Sequence, residues 1–168
     1  MIALLLAAAA SLPVESWDGT EGAGGFSISK AWRAGEFEVQ LASVNRGGSG
    51  SSYFYLISRG EKRFFLEASD ESFLFVLQDG SLALARPKRP KDQMLSLADP
   101  TPWELERHLI GPDGLLHRGA RTPVETRYAA WRGGGGLSTA QALQEHVAKA
   151  FGHVLGRMPN PGYWPGFR

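Results

Sequence analysis

Four ionisable residues stand close together in the middle of the chain: Glu104, Glu106, His108 and His117. Carboxylate and imidazole groups transfer protons near neutral pH, and both also bind metal ions. These groups would converge if the turn Gly111–Gly114 folded the chain back on itself. Glu104, His108 and His117 are therefore the candidate catalytic residues of a small hydrolase or a metal-dependent enzyme, which is one of two functional hypotheses.

Other catalytic motifs are absent from the sequence. The 168 residues include no Cys, which excludes a thiol nucleophile, disulfides and Cys-ligated metals. Gly47–Ser51 lacks the second glycine of a serine nucleophile turn, and Gly133–Gly136 lacks the lysine of a phosphate-binding loop. His146 and His153 are seven residues apart, whereas a helical metal pair prefers a separation of four. We therefore predict no metal and no cofactor, and the sequence favours a protein that is not an enzyme.

Two groups of residues suit binding better than catalysis. The C-terminal end combines rigid aromatic rings with a cation, a composition that is common at contact surfaces. These residues are Tyr163, Trp164, Phe167 and Arg168. Residues 86–91 hold four cations, of which Lys88 and Arg89 are candidate contacts for an anionic ligand. The net charge of the whole chain is only +1, which argues against nucleic acid as a partner.

The residues between 26 and 86 must position any such site, and they show the periodicity of short strands. Apolar and polar residues alternate in Gly35–Asn45, which indicates one buried and one exposed face. Tyr53–Ile57 and Phe73–Leu77 are apolar at every position, which predicts strands covered on both faces. Turn signals follow at Arg59-Gly60, Asp70-Glu71 and Asp79-Gly80. Connections this short predict antiparallel neighbours, with a first strand that ends near Trp32.

Two helices are predicted in the second half of the chain. Thr101 and Glu104 form a capping box around Pro102, which predicts a short helix over Pro102–Ile110. One or two further strands are expected at Leu115–His117 and Val124–Trp131. The last helix starts at Ser138 and ends at Gly156, with Gly152 inside it. Its apolar stripe consists of Ala140, Leu143, Val147, Phe151 and Val154.

These elements predict an α+β fold. The expected architecture is an antiparallel up-and-down meander of about six to eight strands, with the amphipathic C-terminal helix packed on one face. The alternative is a small closed barrel of about eight strands followed by the helix. Residues 26–156 would form the single domain, and residues 157–168 would form a tail rich in proline and aromatic residues.

The N-terminus predicts export. Ile2–Ala10 is an uninterrupted apolar run that is too short to span a bilayer, which takes about 20 residues. It has the character of a signal peptide with Ala8 and Ala10 as the cleavage motif, followed by a Gly-rich tail over residues 11–25. We therefore predict a periplasmic or secreted protein that binds a protein partner or an apolar or anionic component of the cell envelope. A buried N-terminal helix in a cytoplasmic protein is the alternative.

Export is tested by expressing the whole chain in a bacterium and determining the N-terminus of the protein in each cell fraction. We expect a protein that begins at Ser11 in the periplasm or the medium, because a signal peptidase cleaves after a small-x-small motif. A chain that begins at Met1 or Ile2 in the cytoplasm would contradict this prediction.

Overall fold

The computed structural model describes residues 26–28, 31–45, 51–69, 71–88, 99–129 and 137–158. Within these ranges the strands are β1 (Phe26–Ile28), β2 (Trp32–Ala34), β3 (Phe37–Asn45), β4 (Ser51–Arg59), β5 (Lys62–Ala68), β6 (Phe73–Leu77), β7 (Leu82–Pro87), β8 (Pro100–Ile110), β9 (Leu116–Ala129) and β10 (Val154–Met158). The helix α1 (Leu137–Phe151) falls between β9 and β10 in the chain. Antiparallel strands with one helix near the C-terminus confirm the broad α+β prediction. The described residues contain no helical stretch with the length and apolar character of a membrane span.

The first sheet contains β1 to β5. β3 pairs with β4, and β4 pairs with β5 through the predicted turn after Arg59, where Gly60 has a φ of 62°. β1 and β2 both pair with β3, β1 near its end and β2 near its start. The predicted first strand ending near Trp32 is therefore two short pieces along one edge of β3.

The second sheet has the strand order β10-β6-β7-β8-β9. The predicted turn at Asp79-Gly80 joins β6 to β7. Its loop has three residues, because the Leu77 N–H donates to the Ser81 carbonyl at 2.9 Å. Gly80 supplies the left-handed conformation that such a loop needs, with a φ of 84°.

The chain passes from the first sheet to the second at Ser69–Ser72. The Ser72 N–H donates to the Ser69 carbonyl at 3.2 Å, and the two hydroxyls lie 2.8 Å apart. We predicted that connections this short keep neighbours in one meander, and this is wrong here, because β5 belongs to the first sheet and β6 to the second. A tight corner can join two stacked sheets as well as two strands of one sheet. The described strands thus form two sheets, and neither the single meander nor the closed barrel is correct.

Period-two alternation divides the apolar residues of the second sheet between two buried clusters. In β6, Leu74 and Val76 belong to an inner cluster that both sheets share. Phe73, Phe75 and Leu77 belong to a second cluster that also contains residues of α1. All five residues of β6 are buried, which confirms the prediction that this strand is covered on both sides.

The inner cluster joins the two sheets. From the first sheet it contains Phe37, Val39, Leu41, Tyr55, Ile57, Phe64, Leu66 and Ala68, and from the second Leu74, Val76, Leu82, Leu84 and Met158. Burial raises the pKa of Tyr55, and its hydroxyl donates to the Ser72 carbonyl at 3.1 Å across the corner between the sheets. This hydrogen bond gives the fully buried hydroxyl of Tyr55 a partner.

The segment Pro102–Ile110 lies in a strand, β8, and the helix predicted there is wrong. Trp103 and Leu105 are buried in the second cluster, whereas Glu104 and Glu106 alternate with them. This alternation is strand periodicity, and β8 gains hydrogen bonds from strands on both sides, β7 and β9. The capping signal is worth about 1 kcal/mol, which pairing on two edges and the burial of Trp103 outweigh.

Pro102 sits inside a central strand, where a missing N–H would normally break the ladder. The register between β8 and β9 shifts between Thr101 and Trp103, so Pro102 lies at a bulge. Its carbonyl accepts a hydrogen bond from the Lys88 N–H at 2.7 Å, which holds the other side of the bulge to the end of β7. A second shift lies between Glu106 and His108.

The last helix ends at Phe151, and not at Gly156 as predicted. Gly152 has a φ of 112° and its N–H donates to the Ala148 carbonyl, which terminates the helix as a C-terminal glycine does. Val154 then begins β10, which pairs with β6, and remains buried in the second cluster. The sequence pattern could not separate these outcomes, because Val154 continues the apolar stripe of the helix. Paired structure thus extends into the predicted tail, as far as Met158.

Leu143 tests the buried stripe of α1. Leu143 is fully buried with Ala140 and Val147, so Leu143→Ala should lower the free energy of unfolding by about 2–5 kcal/mol. Phe151→Ala should cost less than a fully buried ring would, because Phe151 is only partly buried. Urea denaturation measures both effects, with the exposed Gln141→Ala as control. An unchanged midpoint for Leu143→Ala would mean that this stripe is not part of the core.

Candidate functional site

Four hairpin turns lie at the same end of the two sheets. Their glycines are Gly35, Gly60, Gly80 and Gly114, with φ between 57° and 84°. Turns of different sheets approach each other: a Cβ at position 80 would lie 3.6 Å from the Arg59 guanidinium, and one at position 114 would lie 3.5 Å from the Lys62 Nζ. We call this region the turn end. Loops held by a rigid sheet scaffold are frequent locations for binding sites.

Two recesses open at the turn end, and Arg59 lines both. The first, of about 350 Å³, lies between the sheets. Besides Arg59 it is lined by Gly35, Glu36, Phe37, Leu77, Gln78, Asp79, Gly80 and Leu155. The second, of about 530 Å³, is lined by Arg59, Glu61, Lys62, Ile110 and Gly111. Volumes of this size suit a small organic ligand.

The first recess has an apolar base and a charged rim. Phe37 and Leu77 are buried, and the exposed side chain of Leu155 adds apolar surface. The Arg59 guanidinium lies 5.7 Å from the centroid of the Phe37 ring, a cation–π geometry that restricts its orientation. Its Nε donates to Glu36 Oε2 at 3.1 Å. Both partners of this ion pair are about half exposed, so the pair contributes little stability and can be exchanged for a ligand.

A second ion pair fixes the rim at the turn between β6 and β7. Partial burial acts to raise the pKa of Asp79, but hydrogen bonds from Ser81 and the charge of Arg107 outweigh it, so the pKa is lowered. The Ser81 N–H and hydroxyl both donate to Asp79 Oδ1, at 2.9 and 2.5 Å, and Arg107 donates to Oδ2. Arg107 lies opposite the second register shift, where β9 bulges so that two of its residues face one residue of β8. A bulge interrupts the regular ladder at this point, and the Arg107 side chain reaches Asp79.

Glu106 and His108 form a buried polar pair near this end of β8. Their Oε1 and Nε2 atoms are 2.6 Å apart, and the imidazole N–H donates to the carboxylate. Burial lowers the pKa of His108, and the negative charge of Glu106 acts in the opposite direction. The positive charges of Arg118 and Arg86 lower this pKa further. Arg118 and Arg121 of β9 also approach Glu106, at 3.3 and 3.5 Å. The carboxylate therefore holds two half-exposed guanidinium groups against the sheet.

The structure does not bring the three candidate catalytic residues together. Glu104 pairs with Lys88 at 2.7 Å, and it lies four residues from His108 along the strand, about 13 Å at 3.3 Å per residue. His117 pairs with the exposed Asp113 at 2.8 Å, and this hydrogen bond lowers the pKa of Asp113. His117 is the register partner of Leu109, which follows His108 in β8. Adjacent residues of a strand point to opposite faces, so His117 and His108 lie on opposite sides of the sheet. Only His108 has a buried acidic partner, Glu106.

The predicted binding residues fall largely outside the described ranges. These are Tyr163, Trp164, Phe167, Arg168 and Arg89. Lys88 is exposed at the end of β7 and paired with Glu104. In the part of the chain that the structure describes, no group of three or more His, Cys, Asp or Glu residues could hold a metal ion.

Arg59 was not among the sequence-predicted site residues. Its charge alone is no signal, because it ends β4 next to a turn, where exposed cations are common. The available signal is topological: in antiparallel strands, alternate connections fall at the same end. The turns at Gly35, Gly60 and Gly80 are alternate connections of this kind, and Arg59 precedes the second of them. The corner at Ser69–Ser72 determines how the two sheets are stacked, and therefore which turns of one sheet face turns of the other. The sequence pattern does not determine this stacking.

No family model, curated protein or solved structure matches this chain.

The buried His108 makes stability depend on pH. Its folded pKa is below the ordinary 6.5, so just below pH 6.5 the unfolded chain binds a proton that the folded protein does not. The free energy of unfolding should therefore fall as the pH falls through this window, and level off below the folded pKa. Urea midpoints between about pH 8 and pH 5 measure this. His108→Gln should flatten the curve there, and the half-exposed Leu109→Met should not; equal slopes in all three proteins would contradict the assignment.

Proposed function

We propose that this protein is an exported binding protein without catalytic activity, and that its ligand binds around Arg59 at the turn end. The observation that carries the proposal is the position of Arg59, a half-exposed cation between an apolar recess and a second recess that contains Lys62. A ligand with an anionic group and an apolar part fits this arrangement. Such a ligand belongs to the apolar or anionic components of a cell envelope, or to a protein partner that presents the same groups.

The energetics favour exchange of the Glu36 carboxylate for a ligand anion. An exposed Arg–Glu pair contributes at most about 1 kcal/mol, so its loss costs little. Contact between Arg59 and Phe37 keeps the guanidinium in place when Glu36 leaves, which lowers the entropy cost of binding. The apolar part of the ligand would then cover Phe37, Leu77 and Leu155.

The hydrolase alternative has weaker support. General acid–base catalysis requires groups within hydrogen-bond reach of one reacting atom. Glu104 and His117 are each paired with another residue, and His108 is buried against Glu106. Turnover of an ester substrate that is lost in His108→Gln would favour the enzyme.

In this proposal α1 packs across the face of the second sheet that points away from the first sheet. Both faces of the second sheet are then covered, and the turn end remains accessible to a ligand. Ala140, Leu143 and Val147 are buried in one cluster with Phe75 and Leu105, which supports packing of the helix across the sheet. The predicted export and the predicted contacts of the C-terminal aromatic residues are further parts of the proposal.

The binding site is tested with decanoate, whose head group and chain match the two parts of the site. We expect decanoate to shift the amide resonances of Gly35, Gly80 and Gly111, and Arg59→Gln to weaken its affinity by about tenfold or more, the effect of one charge-assisted hydrogen bond. The matched control is Arg63→Gln, an exposed cation on β5 that lines neither recess.

A second ligand separates the contribution of the head-group charge from that of the apolar chain. Decyltrimethylammonium has the same chain with a cationic head, and should bind more weakly than decanoate because it faces Arg59 and Lys62. Equal affinity for the two ligands, or unchanged decanoate binding in Arg59→Gln, would contradict the proposed site.

A further inference from the structure

The inner face of the second sheet points toward the first sheet, and it changes from apolar to charged at β8. On β7 this face carries Leu82 and Leu84, which belong to the inner cluster. Their register partners on β8 are His108 and Glu106, which are each 4% exposed. A carboxylate is therefore buried at the border of the apolar core, where an ion without partners would be costly.

Two guanidinium groups of β9 partner this carboxylate. Arg121 is the register partner of Glu106, and Arg118 is that of His108. Their Nε atoms lie 3.5 and 3.3 Å from the carboxylate oxygens, while the two side chains remain 49% and 55% exposed. Each arginine thus has one edge of its guanidinium group against a buried anion and about half of its surface in solvent. Because one carboxylate holds both groups, they lie side by side.

A third guanidinium group, that of Arg86, lies on the same face of the sheet. Arg86 is two residues from Leu84, the register partner of Glu106, which makes it a diagonal neighbour at about 7–8 Å. Its Nη2 donates to the Glu67 carbonyl of β5 at 2.7 Å, and its Nε is buried without a hydrogen-bond partner. Besides burial, the charges of Arg118 and Arg86 both lower the pKa of His108, so their positive potentials overlap at the imidazole.

Positive charge exceeds negative charge on this face. Glu104, a second carboxylate of β8, is paired with Lys88 at 2.7 Å. In the described part of the chain, Arg118 and Arg121 form ion pairs with Glu106 alone, and Arg86 forms none. One carboxylate therefore serves three guanidinium groups, and the remaining positive potential at the exposed surface attracts an anion.

We propose that Arg118 and Arg121 form a binding site for a phosphate-type oxyanion, a phosphoryl or sulfate group, and that Glu106 positions both guanidinium groups. A tetrahedral oxyanion presents several oxygen atoms, and each arginine can donate two parallel hydrogen bonds to such a group. The anion supplies the negative charge that Glu106 alone does not. This site is separate from the one at Arg59 and does not depend on the proposed function.

The site is tested by titrating the whole chain with inorganic phosphate at constant ionic strength and following the Nε–Hε resonances of the arginines. We expect saturable shifts for Arg118 and Arg121. Arg121→Gln should weaken the affinity for phosphate by about tenfold or more, the effect of one charge-assisted hydrogen bond. The matched control is Arg127→Gln, which removes an exposed cation of the same strand and should leave the affinity nearly unchanged.

A variant that retains the charge covers the case in which Arg121→Gln disturbs the fold. Replacing both Arg118 and Arg121 by Lys keeps two cations beside Glu106 but removes the planar forks that bind two oxygen atoms. The affinity for phosphate should still fall, while the urea midpoint stays close to that of the parent protein. Phosphate binding as tight as in the parent would overturn the proposed site.

Other anions identify the ligand. Sulfate should compete with phosphate, whereas acetate at the same ionic strength should not, because it carries a single charge and two oxygen atoms. Glycerol 3-phosphate separates two sources of the group: tighter binding than phosphate points to a phosphate ester, and weaker binding points to the free anion. Equal resonance shifts with acetate and phosphate contradict the site. Loss of phosphate binding in Arg59→Gln but not in Arg121→Gln also contradicts it, because the anion would then lie at the turn end.

Discussion

The fold depends on the burial of β6 and β7 from both sides. Alternate residues of these strands enter two different apolar clusters, so the positions that contribute to the clusters are apolar on both faces, as in Phe73–Leu77. Loss of either cover would leave a face of large side chains in water. The first sheet supplies one cover, and helix residues such as Leu143 and Val147 share the other cluster. The corner at Ser69–Ser72 makes this arrangement possible, because it turns the chain out of the first sheet and into the second.

The same stacking determines where chemistry can occur. The apolar residues of β6 and β7 are divided between two buried clusters, and the polar groups of the second sheet collect at its ends and along its last strands. At the turn end, charged residues of both sheets meet above buried aromatic and aliphatic side chains. Along β8 and β9, one buried carboxylate, that of Glu106, orders His108 and two arginines. The first arrangement is an open recess, whereas the second presents two half-exposed guanidinium groups above a buried carboxylate.

The sequence predicts local structure well where periodicity is unambiguous. The hairpins around Gly60 and Gly80 and the buried strand β6 agree with their patterns. The strand β8 does not, because Thr101-Pro102-Trp103-Glu104 satisfies the rules for a helix start, and only partners distant in sequence make it a strand. Similarly, Val154 fits the stripe of α1 as well as it fits β10, and the backbone at Gly152 decides between them. Arg59 could not be identified from its neighbours in the chain, since the site is formed by turns that are separated by up to about half the sequence.

The bulges in β8 and β9 have a consequence for self-association. In the described part of the chain β9 pairs with β8 alone, so its other edge is a row of backbone donors and acceptors 14 residues long. A regular edge of that length would be a template for another copy of the chain. Here two register shifts break the regularity of the row, Pro123 lacks a backbone donor, and Arg118, Arg121 and Arg127 are exposed along it. Bulges, proline and exposed charges are features by which edge strands avoid pairing with another copy of the chain.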